Sequence, residues 1–159
     1  ETLTLLQTGK TKPVPLVLLD GPRGTYWKTW QRYVEDHILR RGMISPHDLS
    51  LYKVTDSVED AVHEITNFYR VYHSSRYVGE WLVIRLLRRL PEAYVATLAA
   101  DFRDILKDDV LEQRDAFPVE SGDVFSLPRL AMRFDRMHFG RLRQLIDRLN
   151  AAPEPGGGA

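Results

Sequence analysis

Between Pro15 and Asp20 the chain runs Leu16-Val17-Leu18-Leu19, four apolar residues with no polar interruption. The run is too short for a buried helix, and residues that stop regular structure bound it on both sides. It reads as a strand covered on both faces, which is what a parallel sheet requires. Asp20-Gly21-Pro22-Arg23-Gly24 then redirects the chain. Tyr26, Trp27, Trp30, Tyr33, Val34, His37 and Ile38 follow at three- and four-residue steps, so they share one helix face. Gly42 stands where a helix-ending residue of positive φ belongs. Strand, tight turn and amphipathic helix make half of a βαβ unit. This restricts the chain to the α/β class.

The next stretch repeats the unit. Ser45 is placed to cap a helix, with Pro46 at its first position and Asp48 as the reciprocal acid. That helix must be short, because Leu51 to Thr55 alternates and is rich in strand formers. Asp56-Ser57 caps a further helix, with Asp60 three residues after Ser57. Its apolar stripe is Val58, Ala61, Val62, Ile65, Phe68, Tyr69 and Tyr72. Such alternation predicts a parallel sheet with right-handed crossovers. From Tyr72 to Gly79 the periodicity stops, and a boundary is placed there. Beyond it, Trp81 to Leu86 reads as a strand. Pro91 opens a helix carrying Val95, Leu98, Ala99, Phe102, Ile105 and Leu106. Lys107 to Asp123 reads as loop, and Arg129 to Phe134 as a strand with one wet face. A last helix presents Phe139, Leu142, Leu145, Ile146 and Leu149. The expected organisation is a nucleotide-binding part over 1–79, a β-α-β-α appendage over 80–150 and a disordered Pro/Gly-rich tail over 151–159. Glu1 to Gly9 reads as the end of a helix without an N-cap. With no initiator Met, the chain is expected to begin inside an element, as the C-terminal part of a longer polypeptide.

Composition excludes several function classes. Lys plus Arg and Asp plus Glu both number 22, so net charge argues for neither nucleic acid nor an anionic membrane as partner. With no cysteine, disulfides and thiolate metal sites are ruled out, and a cytoplasmic location is expected. No apolar run approaches a membrane span, and no signal peptide is visible. The motifs that carry chemistry are sparse. Gly21 to Thr25 follows a strand and opens a helix, where backbone N–H groups can hold a phosphate. It is neither a P-loop nor G-x-G-x-x-G, so a structural turn is the better reading. Trp27 and Trp30 suit either an aromatic pocket or helix packing, and packing is preferred. His37, His47, His63, His73 and His138 lack metal-ligand spacing, so no metal is expected. Arg70, Tyr72, His73, Arg76 and Tyr77 form a polar-aromatic knot. It suits an anion, or a tie between the two parts of the chain or to a second subunit, and the tie is favoured.

Several stretches in order resemble one family. They are Glu1-Thr-Leu-Thr-Leu-Leu-Gln-Thr-Gly9, Lys12-Pro-Val-Pro-Leu-Val-Leu-Leu-Asp20, Gly24-Thr-Tyr-Trp27, Gly42-Met-Ile-Ser-Pro46 and Phe68-Tyr-Arg-Val-Tyr-His-Ser74. Together they look like the C-terminal half of a Lonely Guy protein, a group long labelled possible lysine decarboxylases, in its longer bacterial, actinobacterial-like branch. The resemblance implies the C-terminal half of a Rossmann-like parallel sheet with flanking helices. It also implies hydrolysis of nucleoside 5′-monophosphates, such as AMP or cytokinin nucleotides, to free base and ribose 5-phosphate. Water is then the second substrate, no cofactor is required, and the protein forms homo-oligomers. The family's P-G-G-x-G-T-x-x-E motif is absent from these residues, so no catalytic residue is assigned and Glu1 does not take that role. Thr4 and Gln7, on the following turns of the same helix, are the candidate substrate contacts. Arg23 departs from the pattern, standing where longer members tend to carry Gly. The alternative is a non-catalytic oligomerisation or nucleotide-binding module of the same fold.

Overall fold

The computed structural model describes residues 1–120 and 124–154. Helix α1 (Thr2–Gln7) leads to strand β1 (Val17–Leu19) and helix α2 (Tyr26–Tyr33), which runs on as a wider π-helical segment, Val34–Leu39. Gly42 closes that segment with φ 70°, and the Met43 amide donates to Ile38 O at 3.1 Å. A 3₁₀ helix, Pro46–Leu51, then feeds strand β2 (Lys53–Thr55) and helix α3 (Val58–Phe68). The predicted caps form. Ser45 Oγ accepts from the His47 amide at 3.2 Å, and Asp48 Oδ2 accepts from the Ser45 amide at 2.9 Å. Ser57 Oγ accepts from the Asp60 amide at 3.2 Å. Strands β1 and β2 are parallel, with Leu18 opposite Val54. This α/β part is compatible with a portion of a Rossmann-like sheet. Its helices cover β1 less completely than the apolar run predicts, since Leu19 is 41% exposed.

The second sheet is antiparallel, in the order β3-β4-β6-β5. Its strands are β3 (Tyr72–Val78), β4 (Trp81–Leu86), β5 (Leu106–Arg114) and β6 (Arg129–Phe134). Helices α4 (Glu92–Asp101) and α5 (Phe139–Asn150) contribute Val95, Leu98, Leu142, Leu145, Ile146 and Leu149 to one core with Leu82, Ile84, Leu86, Leu130, Met132 and Phe134. Each of those buried side chains contributes on the order of 1.5–3 kcal/mol relative to exposure. The connection between β5 and β6 reaches the other face of the sheet, with Phe117 near Trp81 and Glu120 between Arg85 and Arg129.

This sheet departs from the β-α-β-α expectation in four ways. The stretch where periodicity stops is a strand, and Gly79, with φ 58°, lies between β3 and β4 where they pair as a hairpin. Residues 106–114, expected to be mostly loop, form an edge strand. Its charged residues Lys107, Asp108, Asp109, Glu112 and Arg114 suit an edge, where charge discourages pairing with other chains. Strand β6 is wet only at one position of the expected face, because it is central: Arg129 and Ala131 are buried, and Arg133 alone is partly exposed. In the expected disordered tail, Ala152 is buried and Arg88 donates to Ala152 O at 2.7 Å, while Ala151, Pro153 and Glu154 are exposed. The remainder of that tail, 155–159, lies outside the described residues.

The two parts meet along α5. Gly140 sits against the backbone of His47 and Asp48, Gln144 Nε2 donates to Ser50 Oγ at 2.8 Å, and Arg143 pairs with Glu64. Buried Asn150 completes the join. Its Oδ1 accepts from the Val71 and Tyr72 amides, and its Nδ2 donates to Phe68 O, so one side chain satisfies the turn from α3 into β3.

Candidate functional site

In an open α/β sheet, ligands bind beyond the carboxyl ends of the strands. Here that edge carries Asp20 after β1 and Thr55 and Asp56 at the end of β2. Asp20 is 5% exposed, and its position is fixed from two sides. Its amide donates to Thr55 O at 2.8 Å. Its carboxylate accepts from the Trp27 amide at 3.1 Å and the Lys28 amide at 3.3 Å. These are the free donors of the first turn of α2. Two of the first-turn amides that α2 could offer an external phosphate are thus engaged by the chain's own carboxylate, which also complements the helix dipole. The sequence signal was an acid at the strand end, seven residues before Trp27. Arg23 adopts φ 64°, a left-handed conformation that costs a side-chain-bearing residue free energy. Above the turn Lys28 Nζ pairs with Asp56 at 2.5 Å. Hydrogen bonding and charge from Lys28 hold the Asp56 carboxyl below its ordinary range.

Beside this edge is an open cavity of about 280 Å³, lined by Glu1, Thr2, Leu3, Leu16, Leu18, Trp27 and Trp30. Leu16 and Leu18 fall on one side of β1 because side chains alternate along a strand. Trp27 and Trp30 sit one helical turn apart, with ring centroids 5.9 Å from one another and edge to face. Trp30 also packs on Tyr52 at 5.3 Å. The tryptophans therefore do both things considered for them: they pack, and they wall a cavity. Among the described residues, Glu1 is the one acidic residue in its lining. Leu3, Leu16 and Leu18 were legible only as core residues.

The two predicted substrate contacts occupy different settings. Thr4 is exposed on α1, and its carbonyl accepts from the Thr8 hydroxyl at 2.7 Å. Gln7 is half-buried and donates from Nε2 to Asp48 Oδ2 at 2.8 Å, the oxygen that also holds the Ser45 amide. The knot divides as well. Tyr72 is buried among Phe68 and Tyr69, whereas Arg76 and His73 are exposed and Arg70 reaches Glu154 at 3.7 Å. Burial raises the pKa of the Tyr72 phenol, which donates to Ser75 Oγ. Among the described residues, no three His, Asp or Glu side chains are grouped to hold a metal ion, and no helix is long and apolar enough to cross a membrane.

No curated protein and no solved structure matches the chain. Residues 1–65 match the model of a protein family described as "Possible lysine decarboxylase". The matched span contains α1, β1, α2 and β2, and with them the whole lining of the tryptophan-walled cavity. Over that span, 65 of the 159 residues, the chain is similar to that family.

Proposed function

We propose that this chain forms part of a hydrolase that cleaves the N-glycosidic bond of nucleoside 5′-monophosphates, AMP or a cytokinin nucleotide, to free base and ribose 5-phosphate. The observation that carries the reading is the family match over residues 1–65, which covers every residue lining the cavity between α1, β1 and α2. Glycosidic cleavage passes through an oxocarbenium-like state, so a carboxylate must activate water and stabilise positive charge. Glu1 lines the cavity, yet no carboxylate in these residues stands behind a glycine-rich phosphate loop. Catalysis therefore requires the P-G-G-x-G-T-x-x-E segment, and these residues supply a wall of the site. Thr4, exposed one turn beyond Glu1, is the proposed contact to ribose or base. Gln7, through Asp48, holds α1 at its angle to the sheet.

The proposal also includes assembly. Val58, Val62, Ile65 and Tyr69 form an exposed stripe along α3, between 40% and 66% accessible. An apolar stripe of this kind on a helix suits a homo-oligomeric interface. A non-catalytic assembly module is the second reading, and the same stripe favours it.

Joining the chain behind a P-G-G-x-G-T-x-x-E segment and assaying ribose 5-phosphate from AMP and other nucleoside 5′-monophosphates separates the two. Turnover is expected from the joined protein and none from residues 1–159 alone. A joined, folded protein that cleaves no nucleotide would leave the assembly module as the reading. Turnover by the chain alone, surviving repurification and lost on changing Glu1, would overturn the division of roles.

A further inference from the structure

A second cavity of about 280 Å³ lies between the edge strand β3 and the connection from α1 to β1, with α5 beneath it. Leu82, Phe139 and Leu142 line it with apolar surface, and three basic residues, Lys10, Lys12 and Arg76, each exposed, border it. Among the described residues, no acidic one contributes to the lining. Fourteen of the 22 Lys and Arg side chains lie within 4.0 Å of a carboxylate oxygen among the described residues. Lys10, Lys12 and Arg76 are among the eight without such a partner, and they are the three of those eight that border this cavity. Like charges gathered round an apolar surface repel one another, and an anion would relieve that repulsion.

Two features make the cavity a built one. Gly9 holds φ 66° with the Phe139 ring packed directly on its Cα, and the Lys10 amide donates back to Leu5 O at 2.9 Å. The loop bearing the two lysines is therefore fixed against α5. Ser75, 4% exposed, also lines the cavity. Its Oγ accepts from the Tyr72 hydroxyl at 3.1 Å, so its own hydroxyl hydrogen is left to donate.

We propose that this cavity binds a small phosphate monoester with a flat apolar body. Three cations and a hydroxyl donor suit a dianionic head with several acceptor oxygens. The Leu82, Phe139 and Leu142 side chains offer no polar group to read a base edge or a ribose. Ligand pockets usually measure about 300–1,000 Å³, so the volume selects a small body. The site shares no lining residue with the tryptophan-walled cavity and does not depend on the hydrolase reading.

The test is titration of the whole chain with 1-naphthyl phosphate, read by backbone amide NMR, beside 1-naphthol, inorganic phosphate and AMP. Saturable shifts are expected at the amides of Gly9 to Lys12 and Ser75 to Tyr77, from 1-naphthyl phosphate more strongly than from the other three. Lys12→Gln and Arg76→Gln, both at exposed side chains, should each weaken binding roughly threefold to tenfold with melting temperature unchanged. Raising salt should weaken it as well. Absence of binding, equal binding of 1-naphthol, inorganic phosphate or AMP, shifts confined to Leu16 to Trp30, or affinity unchanged in both variants would each overturn the proposal.

Discussion

Replacing Asn150 by Ala removes the side chain that holds the turn between α3 and β3. Asn150 has no measurable exposure, and its three hydrogen bonds measure 2.6 Å to Phe68 O, 2.8 Å from the Val71 amide and 3.0 Å from the Tyr72 amide. Their net worth is about 1 kcal/mol each. The larger cost comes from what is left behind, because two N–H groups and one carbonyl lose their partner in a region without solvent. Stranding a buried polar group costs about 1–3 kcal/mol, and a water entering the vacated space recovers some of it. A loss of about 3–5 kcal/mol is expected, a large part of a typical total of about 5–15 kcal/mol. For a chain of this size that lowers Tm by roughly 6–20 °C. Thermal and urea unfolding give the loss, and hydrogen exchange at the Val71 and Tyr72 amides localises it. Asn150→Asp keeps both acceptor contacts and removes the donation to Phe68 O, so those two amides should stay protected more than in the Ala variant. A loss below about 1 kcal/mol, or unchanged protection at Val71 and Tyr72, would refute the account.

Three further outcomes follow from particular contacts. Gly140→Ala would place a Cβ 2.8 Å from Asp48 N and closer still to His47 O, so α5 must move from the 3₁₀ helix at a cost of about 1–3 kcal/mol, measured by urea unfolding. Arg23→Gly should stabilise by up to about 1 kcal/mol, because glycine adopts φ 64° without strain and gives back part of the gain as unfolded-state entropy; a lower Tm would contradict this. Glu120→Gln should cost about 3–5 kcal/mol, because Arg129 and Arg85 lose a buried counter-charge. Desolvation pushes the Glu120 carboxyl up, but hydrogen bonds from Arg129, the Phe117 amide and Arg85 outweigh it and leave the carboxyl below its ordinary 4.5. A depressed folded pKa gives stability that is present above the unfolded value and lost as pH falls through the folded one. Acid unfolding below about pH 4.5 should therefore be less steep in Glu120→Gln than in the native chain.

Features that depend on neighbours three or four residues away were legible in the chain itself. The Ser45–Asp48 capping box, the Ser57 cap, the positive φ at Gly42 and the strands at Trp81–Leu86 and Arg129–Phe134 all form where the residues indicate. The parallel pair β1–β2 follows from the same alternation. The hidden strands are those whose period is broken. A bulge between Tyr72 and Ser74 shifts β3, so that its fully buried residues are Tyr72 and Ser75, an odd step apart. In β5 the register slips between Leu106 and Leu111, where Asp109 takes φ 55°, and the apolar residues again fall an odd number apart. Period-2 reading fails at such places because one extra residue turns every later side chain to the opposite face.

The candidate sites divide the same way. A resemblance in motif order pointed to residues 1–65, and Trp27 and Trp30 were visible as a helix face. That Asp20 fills the amides of α2, that Arg129 is buried on Glu120, and that Arg76 joins Lys10 and Lys12 at one cavity were decided by the tertiary structure. These groupings join residues far apart in the chain or set by a turn's geometry. No local propensity encodes them; the electrostatic and packing energies that select them arise only once the sheets and α5 are in place.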